Sequence, residues 1–446
     1  SSKFQDPWGY FPGAAAGWNL DKEEFFKRAF PYFSTFKIRG SYGSTGNNRV
    51  GDYSRFPSLT QSLSGYSFNN EIPLQMTYVS NVGNMGLRWE KVNITDVGLE
   101  VAAFNDRISL EVDAYNKLTT DLLLSAQLPT STGFSSATKN IGKLRNRGLE
   151  FTLNTVNVET GNFDWNSSFN IAFNHNTVVE LTYGQQSILT NGRYESQFNK
   201  PLYVSEIGKP AGQMIGFIWE GNYQFDDFHN PAEGVYILKE NVPTNGAVRN
   251  TIQPGDIKYR DLNNDGIIDD NDLTTIGRGQ PIHTGGFNNN FRYKSLTLNL
   301  FFQWSYGNNI YNANRLALEG NSNGRALVNQ FASYVNRWSP ENPTNENYRT
   351  RGQGPIGFYS SKQVEDGSYL RLKTLSLDYS LPRNWVSKLY MKDLTLSVAA
   401  QNLWTWTKYT GLDPEVSVLN AILAPGFDFS AYPQVKTITF GVRANF

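Results

Sequence analysis

The chain has 446 residues, enough for about two or three ordinary domains or for one large β-structure. Forty Lys and Arg balance forty Asp and Glu, so no excess positive charge points to nucleic acid. With no cysteine there is neither a disulfide framework nor a thiolate metal site, and no run approaches the ~18 apolar residues of a membrane-spanning helix.

The opening "SSKFQDPWGYFPG" lacks the features of a signal peptide and reads as the middle of a longer chain. "DKEEFFKRAF" (21–30) follows as a short amphipathic helix. From there on, apolar and polar residues alternate with period two, the mark of a strand with two different faces. In "FKIRGSYG", Phe36, Ile38, Gly40 and Tyr42 oppose Lys37, Arg39 and Ser41. In "RISLEVDAYN", Ile108, Leu110, Val112 and Ala114 oppose Ser109, Glu111, Asp113 and Tyr115. "SLTLNLFFQW" sets Leu296, Leu298, Leu300, Phe302 and Trp304 against Thr297, Asn299 and Gln303, and "DLTLSVAAQN" repeats the pattern with Leu394, Leu396 and Val398. The last strand, "TITFGVRANF", puts Ile438, Phe440, Val442, Ala444 and Phe446 on one face and Thr437, Thr439, Gly441, Arg443 and Asn445 on the other.

Short and long connections alternate. "ND" follows Phe104, "ETGN" (159–162) joins "RGLEFTLNTV" to "FDWNSSFNIAF", "YKS" (293–295) joins "GGFNNNFR" to "LTLNLFFQW", and 382–393 makes another fairly short link. Between these hairpins lie long polar stretches at 44–93, 117–146, 307–368 and 405–433. Connections beyond ~15 residues are uncommon in a soluble sandwich, whereas short periplasmic turns and long extracellular loops are the rule in outer-membrane barrels. Charge and amide on one face and aliphatic residues on the other fit a barrel with a wet interior and a lipid-facing exterior. Sequence alone thus predicts an all-β fold, an antiparallel transmembrane β-barrel, ahead of a soluble all-β protein. About eleven strands are clear, with room for a further pair in 176–283 around "QMIGFIWEGNYQF". Trp304, Phe302, Phe169, Phe173 and Phe446 fall on the lipid face.

One motif has metal-site spacing. In "DLNNDGIIDDND", Asp261, Asn263, Asp265, the Ile267 carbonyl, Asp269 and Asp272 take positions 1, 3, 5, 7, 9 and 12 of an EF-hand-like loop, with Gly266 at the sharp turn. Such oxygens suit Ca²⁺, and the alternative is an Asx-rich turn without an ion. Aromatics in the long loops, Trp338, Tyr348, Phe358 and Tyr359, with Tyr369, are candidates for stacking on a sugar ring, the alternative being loop packing. His175, His229 and His283 are isolated, no G-x-S-x-G elbow occurs, and "GSTGNNR" (43–49) lacks the Lys-Ser/Thr ending of a phosphate loop, so no enzyme is indicated.

Seven stretches in order resemble one family, the SusC/RagA-type TonB-linked outer-membrane transporters of Bacteroidetes. They are "GYFPGAAAGW" (9–18), "FKIRGSYGSTGN" (36–47), "GNMGLRWEKVNITDVGLE" (83–100), "NIGKLRNRGLEFTLN" (140–154), "GDIKYRDLNNDGIIDDND" (255–272), "AQNLWTWTKYTGLDPEVS" (400–417) and the final strand. The resemblance implies that residues 1–446 are the C-terminal part of such a receptor, about 11–13 strands of a plugged barrel of roughly 22. It implies an outer-membrane location, the remaining barrel and plug elsewhere, TonB engaged through the missing N-terminal part, and a SusD-like lipoprotein lid. It also implies an oligosaccharide or peptide cargo, lipid around the wall, and Phe446 as the terminal aromatic by which barrels are recognised for assembly. A passive porin or a barrel-borne adhesin is the rival of a different class.

Overall fold

The computed structural model describes residues 3–62, 75–128, 130–134, 136–181, 184–192, 200–319, 329–355, 357–419 and 421–446. Eleven long strands carry the fold: β1 (Gly13–Asn19), β2 (Phe33–Asn47), β3 (Glu90–Ala103), β4 (Ile108–Thr120), β5 (Lys143–Glu159), β6 (Phe163–Glu180), β7 (His283–Tyr293), β8 (Leu296–Tyr306), β9 (Tyr369–Ser380), β10 (Asp393–Thr407) and β11 (Thr437–Asn445). Hydrogen bonding follows chain order from β1 to β11, and β1 and β11 each have one neighbour among the described strands, so the sheet is open as expected of part of a barrel. The chain divides into two compact units, Ser1–Leu153 with Asn174–Ile188 and Glu206–Pro210, and Asn154–Phe173 with Leu189–Ser205 and Ala211–Phe446.

In the first unit, β1 and β2 are joined through a 3-10 turn (Leu20–Lys22) and a one-and-a-half-turn helix, α1 (Glu24–Ala29), where the sequence predicts a helix. Its one buried side chain, Phe26, packs against Phe30, Phe33 and Phe36. The tight link from β3 to β4 has Phe104, Asn105 and Asp106 all left-handed, at φ 59°, 57° and 62°. Asn and Asp tolerate that region best among side-chain-bearing residues, and the primed turn it makes matches the twist of the strands it joins.

In the second unit the register turns the period-two pattern into continuous rows, because residues directly opposite on paired strands share a face. One outward row runs Phe440, Val398, Leu377, Leu298, Phe291, Trp165, and the next runs Ile438, Ala400, Leu375, Leu300. The inward rows are polar, as in Thr439, Ala399, Ser376, Asn299, Asn290, Asn166. Phe169 stacks on Trp304 (5.5 Å between centroids) and meets Phe287 edge-on, all outward, while Phe173 and Phe446 are exposed.

The segment 176–283 is the main correction. Among the described residues no further pair of barrel strands lies there. β6 runs on to Glu180, and "QMIGFIWEGNYQF" breaks into Gln213–Gly216 and Trp219–Asn222, paired in small sheets with Thr274–Arg278 and Ile257–Tyr259. The register slips in both pairings, between Met214 and Ile215 and between Trp219 and Gly221, and Gly221 sits at φ 113°. Met214, Phe217 and Tyr223 are buried, which is a loop folded round its own core and not a strand with one wet face. Three such cores exist among the described residues. They centre on Tyr203, Met214, Tyr311 and Phe427, on Phe217, Tyr259 and Tyr348, and on Tyr223, Phe228 and Leu238.

If the outward rows meet hydrocarbon, Leu300→Arg, at the middle of β8, is expected to cost ~2–4 kcal/mol and to impair assembly in the outer membrane. Ser376→Arg, on the inward face, is expected to stay within about 0.5 kcal/mol. Heat-modified electrophoretic mobility of the folded full-length protein reads both, and equal effects would contradict the assignment of faces.

Candidate functional site

The inward face is built around fixed charges and glycine gaps. In the first unit Arg39 on β2 stands between four carboxylates: Asp113 (2.6 Å), Glu111 (2.7 Å), Glu100 (2.9 Å) and Asp96 (3.2 Å). Register brings them together, with Arg39 opposite Gly98 and Gly98 opposite Asp113. A Cβ at position 98 would lie 2.4 Å from Asp113 and 2.7 Å from the guanidinium, so Gly98 makes the space the arginine occupies. In the second unit Arg292 pairs with Asp164 across β7 and β6.

Higher on the inward face of the second unit, Asn170, Gly286, Gln303, Arg371 and Thr405 form one row across β6 to β10. Above it a row of Thr284, Ser305, Tyr369 and Thr407 leads to the loops. The register slips beside Arg371, between Leu372 and Thr374 and between Phe301 and Phe302, and bulges of this kind re-aim side chains next to functional sites. Arg371 is 1% exposed. Its guanidinium donates to Asp413 (2.6 Å), Glu415 (2.9 Å) and the Thr405 hydroxyl (2.9 Å), pinning the 408–436 loop to the wall. Asp413 also accepts from the backbone N–H of Glu415 and of Gln434. Between the wall and this loop lies a cavity of about 640 Å³, lined by Asn170, Thr284, Gly286, Phe301, Gln303 and Glu415 among others.

The predicted stacking aromatics are elsewhere. Trp338, Tyr348 and Tyr359 are 5%, 0% and 2% exposed and pack inside the loop cores. Trp338 donates to Gln224, Tyr348 sits among Phe217, Ile257 and Tyr259, and Tyr359 meets Tyr311 edge-on. Phe358 is half-buried and stacks on Phe217 at 4.6 Å. The three rings are packed inside the loops, and of these five loop aromatics Tyr369 lines the cavity. The cavity was missed by sequence reading, although a signal existed: Phe301 is an aromatic on the polar register of β8, lying over Gly286.

The 261–272 loop is a chain of Asx turns. Asp261 accepts from the N–H of Asn264 (2.6 Å) and Gly266 (2.7 Å), and Asp265 from Ile267 (2.8 Å). Asn263 accepts from Asp265 (3.1 Å), and Asp269 from Asn271 (2.8 Å). Asp272, fully buried, accepts from Leu262 (2.8 Å) and Asp269 (3.0 Å). Gly266 makes the sharp turn at φ 82°, as its position suggests. Among the described residues no three His, Cys, Asp or Glu side chains converge to hold an ion. In this arrangement the carboxylates serve backbone N–H groups.

Residues 1–255, more than half of the chain, match the family described as TonB dependent receptor-like, beta-barrel. The chain belongs to that family. Over its whole length it is 34% identical to TonB-dependent receptor P3 of Formosa agariphila and 29% identical to TonB-dependent receptor SusC of Bacteroides thetaiotaomicron. It spans less than half of these relatives, 43% and 41% of their lengths. The structure of the RagAB peptide transporter superposes on all of the chain with a TM-score of 0.79 at 22% identity, covering 44% of that protein and showing a shared fold. The SusC/RagA resemblance therefore stands, and the chain is part of the barrel of a TonB-dependent receptor of the outer membrane.

Two predictions come from the receptor's loops. Lys362 is 5% exposed, with its ammonium 4.5 Å over the Trp219 ring and 3.1 Å from Asn347 Oδ1. Burial first, and then the nearby Arg315 charge, bring its pKa down to about 8 from 10.5. Between pH 8 and 10 the folded chain has released this proton and the unfolded chain has not, so stability rises with pH, by up to ~1.4 kcal/mol per unit. Above pH 10 the sign reverses, because Tyr203, Tyr259 and Tyr348, raised by burial, keep protons that the unfolded chain loses. Thermal unfolding of the folded receptor from pH 7 to 10 is expected to show the rise, and Lys362→Met to lack it. For the 261–272 loop, the midpoint is expected to be the same in EDTA and in millimolar Ca²⁺, and a calcium-dependent rise of several degrees would restore the ion.

Proposed function

We propose that the full-length protein imports a nutrient across the outer membrane, energised through TonB, with an oligosaccharide as cargo and a SusD-like surface lipoprotein as its outer partner. The observation that carries this reading is the inward wall of the second unit, set with amides and hydroxyls and hollowed into a cavity of about 640 Å³. The free side-chain amides of Asn170 and Gln303 both donate and accept, and the hydroxyls of Thr284 and Ser305 stand beside them. The ring of Phe301 supplies an apolar face among these groups, a combination suited to a neutral ligand rich in hydroxyls. Family membership supports the energised mechanism.

The test is uptake by cells carrying the full-length receptor, with fluorescent neutral oligosaccharides and peptides of equal mass, all too large for general porins. Oligosaccharide uptake that disappears when tonB is deleted, and falls when the neighbouring lipoprotein gene is deleted, is the expected result. Uptake that persists without TonB would indicate a passive porin, and uptake of peptides alone would replace the cargo.

A further inference from the structure

Glu415 is the one charged side chain among the described residues that line the cavity. Its Oε2 faces Arg371 Nη1 at 2.9 Å and Lys373 Nζ at 3.6 Å, while Oε1 has no partner among the described residues. The side chain is 37% exposed, so this oxygen is open to a ligand. Arg371 cannot serve as a counter-charge for a ligand, since it is buried behind Glu415 and its donors are already engaged by Asp413, Glu415 and Thr405. Every other polar side chain of the lining is a neutral amide or hydroxyl.

We infer that the cavity is a charge-selective binding site in which Glu415 accepts a hydrogen bond from cargo and turns anionic cargo away, with Arg371 as the positioning residue that fixes the carboxylate. The inference rests on the import reading and names a selection rule for it. A hydroxyl or an ammonium group reaching Oε1 gains a charge-assisted hydrogen bond. A carboxylate or sulfate reaching Oε1 meets a like charge, while the two neighbouring cations, Arg371 and Lys373, lie against the other oxygen, Oε2, so anionic cargo is disfavoured there. The receptor therefore ranks cargo by charge, cationic or neutral ahead of anionic, whatever backbone carries the charge.

The experiment measures Kd for purified full-length receptor against two matched sets of hexamers. One set is of sugars: glucosamine, glucose and galacturonate oligomers. The other is of peptides rich in Lys, Ser or Asp. In each set that binds, the anionic member is expected to be weaker than the neutral one by about ten-fold at low salt. Glu415→Gln is expected to bring the two within about two-fold, weakening the neutral member through the lost charge assistance and relieving the anionic one of the like charge. Raising the ionic strength on the unaltered receptor provides a second reading without any substitution, because the anionic penalty shrinks as screening grows. If only peptides bind and they rank by charge, the oligosaccharide reading falls and the selection site stands. A ranking that survives Glu415→Gln, a ranking insensitive to salt, an absence of ranking, or no binding in either set overturns the site, and the uptake experiment then judges import separately.

Discussion

In hydrocarbon a backbone N–H or C=O without a partner costs several kcal/mol, so a chain that crosses lipid as strands must be paired on both sides and carry apolar groups on every second residue. Most other features of this receptor depend on that constraint. The outward rows, from Ile438 through Ala400 to Leu375 and Leu300, need no protein partner, because lipid is their solvent. The inward face is thereby freed for charge and amide. Gly98 makes room for Arg39 among four carboxylates, and Gly286 leaves space under Phe301, which a Cβ would approach to 2.9 Å. A wall that gives up inward volume at chosen points can hold a cavity without weakening its hydrogen-bond ladder.

With the sheet's apolar face turned to lipid, hydrophobic cores of the ordinary kind move to the loops. The second unit's loops bury Tyr203, Tyr311, Tyr348 and Phe427 completely, as a small soluble domain does. Strand-like pairings reinforce this: Asn309–Asn312 binds Val364–Asp366 on one side and Phe427–Asp428 on the other. Buried ions then fix the loops to the wall and to each other. Arg371 holds 408–436 through Asp413, and removing one partner of such a buried pair leaves an uncompensated charge. Lys362 joins the 219 and 346–347 segments in the same way. The rim of the cavity is therefore a folded structure, and Glu415 keeps its place because Arg371 does.

How far the sequence was legible follows from the range of the interactions concerned. Strands with two faces are a local property, so alternation marked β2, β4, β8, β10 and β11 directly, and Asn105–Asp106 and the 160–162 link marked turns between strands. The assignment failed where burial is non-local. Trp338 is covered by Gln224 and Phe225, more than a hundred residues away in sequence, and Asn222 binds the Thr344 and Asn347 carbonyls. Polarity of the flanking residues made those aromatics look available. The same failing produced the extra strand pair in 176–283, where Met214, Phe217 and Tyr223 are buried among distant residues. The 261–272 spacing was read correctly as a tight acidic turn, but spacing alone does not say whether carboxylates turn toward an ion or toward backbone N–H groups. Arg371 lies in register with Gln303 and Thr405 on the inward face, yet nothing local announces that 413–415 comes down to meet it.

The account stands or falls on which residues of a strand meet lipid, and the absence of native cysteine from this chain makes that directly measurable. Single cysteines placed at each position from 437 to 445 in the full-length receptor, reconstituted in liposomes, can be challenged with a water-soluble maleimide and with a lipid-borne quencher. The account predicts strict alternation, with 438, 440 and 442 quenched by lipid and slow to label, and 437, 439, 441 and 443 labelled from the aqueous interior. Labelling that is uniform along the strand, or alternation in the opposite phase, would contradict it.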